Sequence, residues 1–139
     1  MNYLAHIFLS GDNRPLQIGN FIGDFVKGNQ YENYPPAIRE GIILHREVDY
    51  FTDTHPVFIE VVHLLRPTFK RYSGIMADMY FDYLLASDFE HFHPTKSLKR
   101  FSYEFNLTAL WYYPQLPERV KSFIFHFIMH NRLYQYASY

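Results

Sequence analysis

Apolar residues fall in short bursts whose spacing changes along the chain. Leu4, Ala5, Ile7, Phe8 and Leu9 form a first run, closed by Gly11-Asp12-Asn13-Arg14-Pro15, which has the composition of a loop. From Leu16 to Lys27 the apolar positions Leu16, Ile18, Phe21, Ile22, Phe25 and Val26 mostly recur at helical intervals, predicting a helix that stops at Gly28-Asn29. Tyr34-Pro35-Pro36 is a break, and Pro36 suits the first turn of the next helix, where its missing N–H costs little. That helix is predicted to run to about Phe51, with Ile38, Ile42, Ile43 and Val48 facing the core. Thr52-Asp53-Thr54-His55-Pro56 interrupts it. A further helix from Pro56 carries Phe58, Val61, Val62, Leu64 and Leu65, with a kink or restart expected at Pro67. Tyr72-Ser73-Gly74 reads as a turn. Helices are predicted over Ile75 to Ala86, Leu98 to Leu110 and Glu118 to Tyr136. Val57-Ile59-Val61-Val62 and Phe123-Ile124-Phe125 suit strands as well by local propensity. No pair of runs carries a tight hairpin signal, so the expected fold class is all-α, a single-domain helical bundle.

Composition narrows the chemistry. The 139 residues suit one domain with one core, and 48% of them are hydrophobic. Aromatics reach 20%, with 13 Tyr and 14 Phe, and no basic stripe accompanies them, so the rings are expected to fill the core rather than stack on bases. A net charge of -1 gives no reason to expect nucleic acid as a partner. The absence of cysteine excludes disulfides, thiolate metal ligands and cysteine nucleophiles. Met1-Asn2-Tyr3-Leu4-Ala5-His6 lacks the pattern of a signal peptide, and no apolar stretch is long enough to cross a bilayer. The expected location is the cytoplasm. Gly-rich phosphate loops, a Gly-x-Ser-x-Gly elbow and the His-Glu-x-x-His motif are all missing from the sequence.

Acids and histidines recur at helical spacing. His45 and Asp49 are four residues apart, Asp53 lies four further on, and Asp78 and Asp82 repeat the interval. Asp24 stands between apolar Ile22 and Phe25. Carboxylates gathered near apolar residues need a cation, and a divalent ion with mixed His and carboxylate ligands answers the pattern. Ordinary roles account for the same residues: Asp49 pairing with Arg46 or Arg39 on a solvated face, and His6 as a hydrogen-bonded core residue. His63, His91, His93, His126 and His130 have no comparable partners and are expected to be structural or exposed.

Met1-Asn2-Tyr3-Leu4-Ala5-His6, Gly19-Asn20-Phe21-Ile22-Gly23-Asp24-Phe25-Val26-Lys27-Gly28, Gly41-Ile42-Ile43-Leu44-His45-Arg46-Glu47-Val48-Asp49 and Thr52-Asp53, continuing to Asp78 and Asp82-Tyr83-Leu84-Leu85, resemble the bacterial acyl carrier protein phosphodiesterases. The resemblance is strong to about residue 90. It implies a helical fold related to the HD-domain phosphohydrolases, removal of 4′-phosphopantetheine from holo-acyl carrier protein, and a divalent metal, Mn2+ being favoured. It implies Asp24, His45, Asp49 and Asp78 as metal ligands. His6, Arg46, Asp53 and Asp82 follow as catalytic residues beside them or against the substrate, Arg46 holding a phosphate oxygen. Asp49 or Asp82 is the expected general base. Members of that family usually continue past the position of Tyr139, so residues 1–139 correspond to a domain without its C-terminal helices. Carrier proteins are acidic, so docking calls for a local basic surface, either Arg66, Lys70 and Arg71 or Lys96, Lys99 and Arg100. Two other readings stay open from the sequence: a metal-dependent phosphohydrolase acting on a nucleotide or small phosphoester, and a non-catalytic helical binding module.

Overall fold

A computed structural model describes residues 2–138. The helices are α1 (Tyr3–Leu9), α2 (Arg14–Ile22), α3 (Pro36–Thr54), α4 (Pro56–Phe69), α5 (Ser73–Ser87), α6 (Phe89–Phe92), α7 (Leu98–Trp111), α8 (Glu118–Lys121), α9 (Ile124–Met129) and α10 (Arg132–Gln135), with short 3-10 turns between several of them. No strand occurs among the described residues, and the fold is all-α. Among the described residues no helix is long and apolar enough to cross a membrane.

Local chemistry sets the helix starts. The side chain of Asn13 accepts the Leu16 N–H at 3.1 Å ahead of α2, and Ser97 accepts the Arg100 N–H at 3.2 Å ahead of α7. α3 opens on Pro36, and α4 opens on Pro56 after His55, whose Nδ1 accepts the Val57 N–H. The expected break over residues 52–56 is confined to that single junction, because α3 continues to Thr54. α2 ends earlier than expected, at Ile22, and a 3-10 turn over Gly23–Phe25 leads into Gly28 at φ 55°.

Three further expectations are corrected. Pro67 does not break α4: both Pro67 and His63, whose carbonyl loses its donor, are exposed, so water can serve that carbonyl. The turn between α4 and α5 falls on Lys70, at φ 50°, and Ser73 already belongs to α5 with its hydroxyl donating to the Lys70 carbonyl at 2.6 Å. The long helix expected over residues 118–136 is three short ones, separated near Ser122-Phe123 and at Asn131, which takes a left-handed conformation.

The core forms where α1, α2, α3, α7 and the C-terminal helices meet, and it is largely aromatic. The Phe21 ring packs 5.1 Å from Tyr3, 5.1 Å from Phe105 and 5.4 Å from Phe127. α4 stands apart from this core. Its one buried residue is Phe58, which stacks on Phe81 of α5 at 5.8 Å. α4 and the first half of α5 therefore form a hairpin projecting from the body.

Candidate metal centre

The site begins with a seam of glycines. A Cβ on Gly19 would lie 2.7 Å from the Gly41 Cα and 2.8 Å from the Ile42 nitrogen, so α2 and α3 touch backbone to backbone only because both positions lack side chains. Gly23 is equally constrained, since any Cβ there would run into the His45 ring. This approach brings His45, on α3, against the C-terminal end of α2. Its Nδ1 lies 2.7 Å from the Asn20 carbonyl and therefore carries the proton that bond requires. The opposite nitrogen, Nε2, is 3.0 Å from Asp24 Oδ1 and 3.2 Å from Asp49 Oδ2.

His6, on α1, is arranged in the same way. Asn20 is fully buried, and its Nδ2 donates to the His6 carbonyl at 2.8 Å and to Ser10 Oγ at 3.0 Å. Those two bonds fix the amide, so Asn20 Oδ1 accepts the His6 Nδ1 proton at 2.6 Å. His6 Nε2 then faces Asp49 Oδ1 at 3.0 Å. The two imidazoles stack with centroids 3.8 Å apart, and both turn Nε2 toward the same carboxylate.

The electrostatics follow from this packing. Burial works against a charge on His45, but hydrogen bonds to Asp24 and Asp49 outweigh it and raise its pKa to about 9. Burial would likewise raise Asp49, yet the His45 and His6 hydrogen bonds hold it far below the ordinary carboxylate range. Asp24 is lowered chiefly by its hydrogen bond to His45.

This donor set fits a divalent ion. One donor atom each from His6, His45 and Asp49 lies within 4.8 Å of the others. Each imidazole has its far nitrogen tied to a protein oxygen, the usual support for a metal-bound histidine. Two imidazoles and a carboxylate, with Asp24 Oδ1 3.0 Å from His45 Nε2 beside them, suit Mn, Fe or Zn rather than Ca.

The other sequence candidates lie differently. Asp53, exposed on the last turn of α3, has its pKa raised by residual burial and then by the charges of Asp49 and Asp78. Asp78, half-buried on α5, is thus within electrostatic reach of the centre's edge, but it is not among the three residues, His6, His45 and Asp49, whose donor atoms lie close together. Arg46, expected at a phosphate, instead donates to the carbonyls of Val26 at 3.1 Å and Gly28 at 2.8 Å and lies over the Tyr31 ring. It fastens the loop after α2. Asp82, expected as a catalytic acid, is fully buried on α5, where its Oδ2 accepts the Leu4 and Ala5 N–H groups at 2.9 and 3.4 Å. Burial raises its pKa to about 7. It anchors the first turn of α1, the helix that carries His6. His6 turns its Nε2 to the same Asp49 carboxylate that His45 faces. Asn20 was not a sequence candidate; an amide inside the otherwise apolar stretch Ile18 to Ile22 was the available signal.

A sequence profile described as acyl carrier protein phosphodiesterase matches residues 1–139. Among curated proteins, the chain is 33% identical over 140 residues to an acyl carrier protein phosphodiesterase of Photorhabdus laumondii, covering 99% of this chain and 69% of that protein. It is 35% identical over 122 residues to the protein of that name from Yersinia pestis, covering 88% and 63%. With the Escherichia coli protein of that name it shares 31% over 119 residues, covering 86% and 62%. The chain thus spans about two thirds of the length of these relatives. No solved structure matches.

Proposed function

The chain belongs to the acyl carrier protein phosphodiesterase family, and on that premise we propose that it hydrolyses the phosphodiester linking 4′-phosphopantetheine to a serine of holo-acyl carrier protein. The products are the apo-protein and free 4′-phosphopantetheine. The observation that carries the reading is the pair of imidazoles whose Nδ1 atoms are both held through Asn20 and whose Nε2 atoms both face Asp49.

In this proposal His6, His45, Asp49 and Asp24 hold one divalent ion, Mn2+ being the favoured one. When bound, that ion supplies positive charge for the phosphodiester oxygens and lowers the pKa of a nearby water. The chain's own residues do the rest. Asn20 keeps both Nε2 lone pairs directed at one point. Asp53, exposed one turn beyond Asp49 on α3, takes a proton from the attacking water. Water attacks phosphorus in line, the bond to the serine oxygen breaks, that oxygen takes a proton from solvent, and Asp53 returns its own to solvent. Asp78 tunes Asp53 through its charge. Asp82 keeps α1, and so His6, in register.

The test is mass spectrometry of holo-acyl carrier protein incubated with this chain. With Mn2+ the carrier should lose its arm, and chelator should stop the loss. His45→Ala should retain helical content but no turnover. Manganese-dependent hydrolysis of nucleotides with an untouched carrier protein would replace this reading with a general phosphohydrolase.

A further inference from the structure

We propose that the trench between α4 and α5 is the docking surface for the acidic face of the carrier protein, with Arg66, Lys70 and Arg71 as its anchoring cations; this rests on the carrier-protein reading above. The hairpin leaves a large apolar area uncovered. Leu64 is 74% exposed, and Val57, Ile59, Ile75 and Tyr80 are also exposed. Two cavities run along it. One, of about 330 Å³, reaches from Asp53 past Phe58 and Val62 to Arg66. The other, of about 360 Å³, continues from Val62 and Arg66 to Lys70 and Arg71. They share Val62, Arg66 and Gly74 and so form one trench. Phe58 to Arg66 alone spans about 12 Å of helix. At its inner end Asp53 stands one helical turn beyond Asp49 on α3. The trench therefore leads from the metal centre to the cations.

Charge decides what fits there. Arg66, Lys70 and Arg71 are exposed and have no carboxylate partner among the described residues. Arg71 donates to the Tyr72 hydroxyl and lies over that ring, which leaves its charge uncompensated. The other basic cluster is largely compensated, Lys99 alone having no carboxylate partner among the described residues: Lys96 pairs with Asp12 at 3.0 Å and with Glu104 at 2.6 Å, and Arg100 pairs with Glu104 at 3.1 Å. A second copy of this chain meeting the trench about a two-fold axis would set like charges together. An acidic protein whose modified serine must reach Asp49 satisfies both ends.

Docking is measured without turnover, by fluorescence anisotropy of labelled holo-acyl carrier protein in chelator. Arg66→Glu with Arg71→Glu should weaken binding about tenfold or more. Lys70→Gly removes a charge at a backbone conformation that glycine adopts freely, so the fold is kept, and it should weaken binding about threefold. Wild-type binding should fall with salt. Lys99→Glu with Arg100→Gln should change it less than about twofold. Helical content and Tm identify any variant that fails to fold, in which case Lys70→Gly decides. Unchanged affinity in the folded trench variants, loss only on changing Lys99 and Arg100, or no binding by the wild type overturns the docking surface. Turnover with Mn2+ is scored separately. An inactive chain whose binding still depends on Arg66 and Lys70 overturns the catalytic reading and supports the docking one. An active chain indifferent to these cations does the opposite.

Discussion

Asn20 uses both amide hydrogens and its side-chain oxygen, and lends its backbone carbonyl to a second histidine. Replacing it with alanine would leave the His6 Nδ1 proton without its acceptor in a buried place, while the His6 carbonyl and Ser10 Oγ would keep their bond to each other. One such unsatisfied donor costs about 1–3 kcal/mol. More specifically, His6 would lose the acceptor that fixes its tautomer. Asn20→Ala is therefore expected to lower Mn2+ affinity by about 10–100-fold, measured by calorimetry on protein shown to be folded. Full affinity in a folded variant would mean that the histidines are oriented by something else. Helical spacing made the neighbourhood of His45 and Asp49 legible in the sequence, because the pair needs only one helix. The partners of His6 are 14 and 43 residues away, at Asn20 and Asp49, and no local pattern reports such distances. The contacts of Arg46 are hidden from the sequence for a related reason: its carbonyl partners belong to a loop whose path depends on where α2 stops.

At the scale of elements, α1 has only seven residues, too few to persist without tertiary support. Asp82 supplies part of that support from α5. Its unfolded pKa is close to the ordinary value of about 3.9 and its folded value is about 7, so between those values the folded protein holds the extra proton. This contribution to stability is complete below about pH 4 and is lost as pH rises to about 7. Asp82→Asn is neutral throughout and removes that fall. Denaturant midpoints of metal-free protein between pH 4 and 7 should therefore decline less steeply in Asp82→Asn than in wild type, and identical slopes would contradict the assignment. The starts of α3 and α4 were legible because proline and a capping side chain announce them within a few residues. The breaks in the C-terminal segment were not. They fall near Phe123 and at a left-handed Asn131, while Val120, Ile124, Phe127 and Leu133 all stay in the core, and apolar spacing over so short a run still looks helical.

Across the whole molecule, the aromatic content has a definite place. Phe21, Phe105, Phe127 and Tyr3 join α1, α2, α7 and α9 into the body against which the glycine seam is pressed. The centre lies at that seam, between the body and the α4–α5 hairpin. Pulsed electron paramagnetic resonance of bound Mn2+ tests this arrangement most directly, because it detects the nitrogens coordinated to the ion. Couplings from two imidazole nitrogens are expected in the wild-type chain, from one in His6→Ala and from one in His45→Ala. An Mn2+ spectrum without imidazole nitrogen, or one that either substitution leaves unchanged, would contradict it.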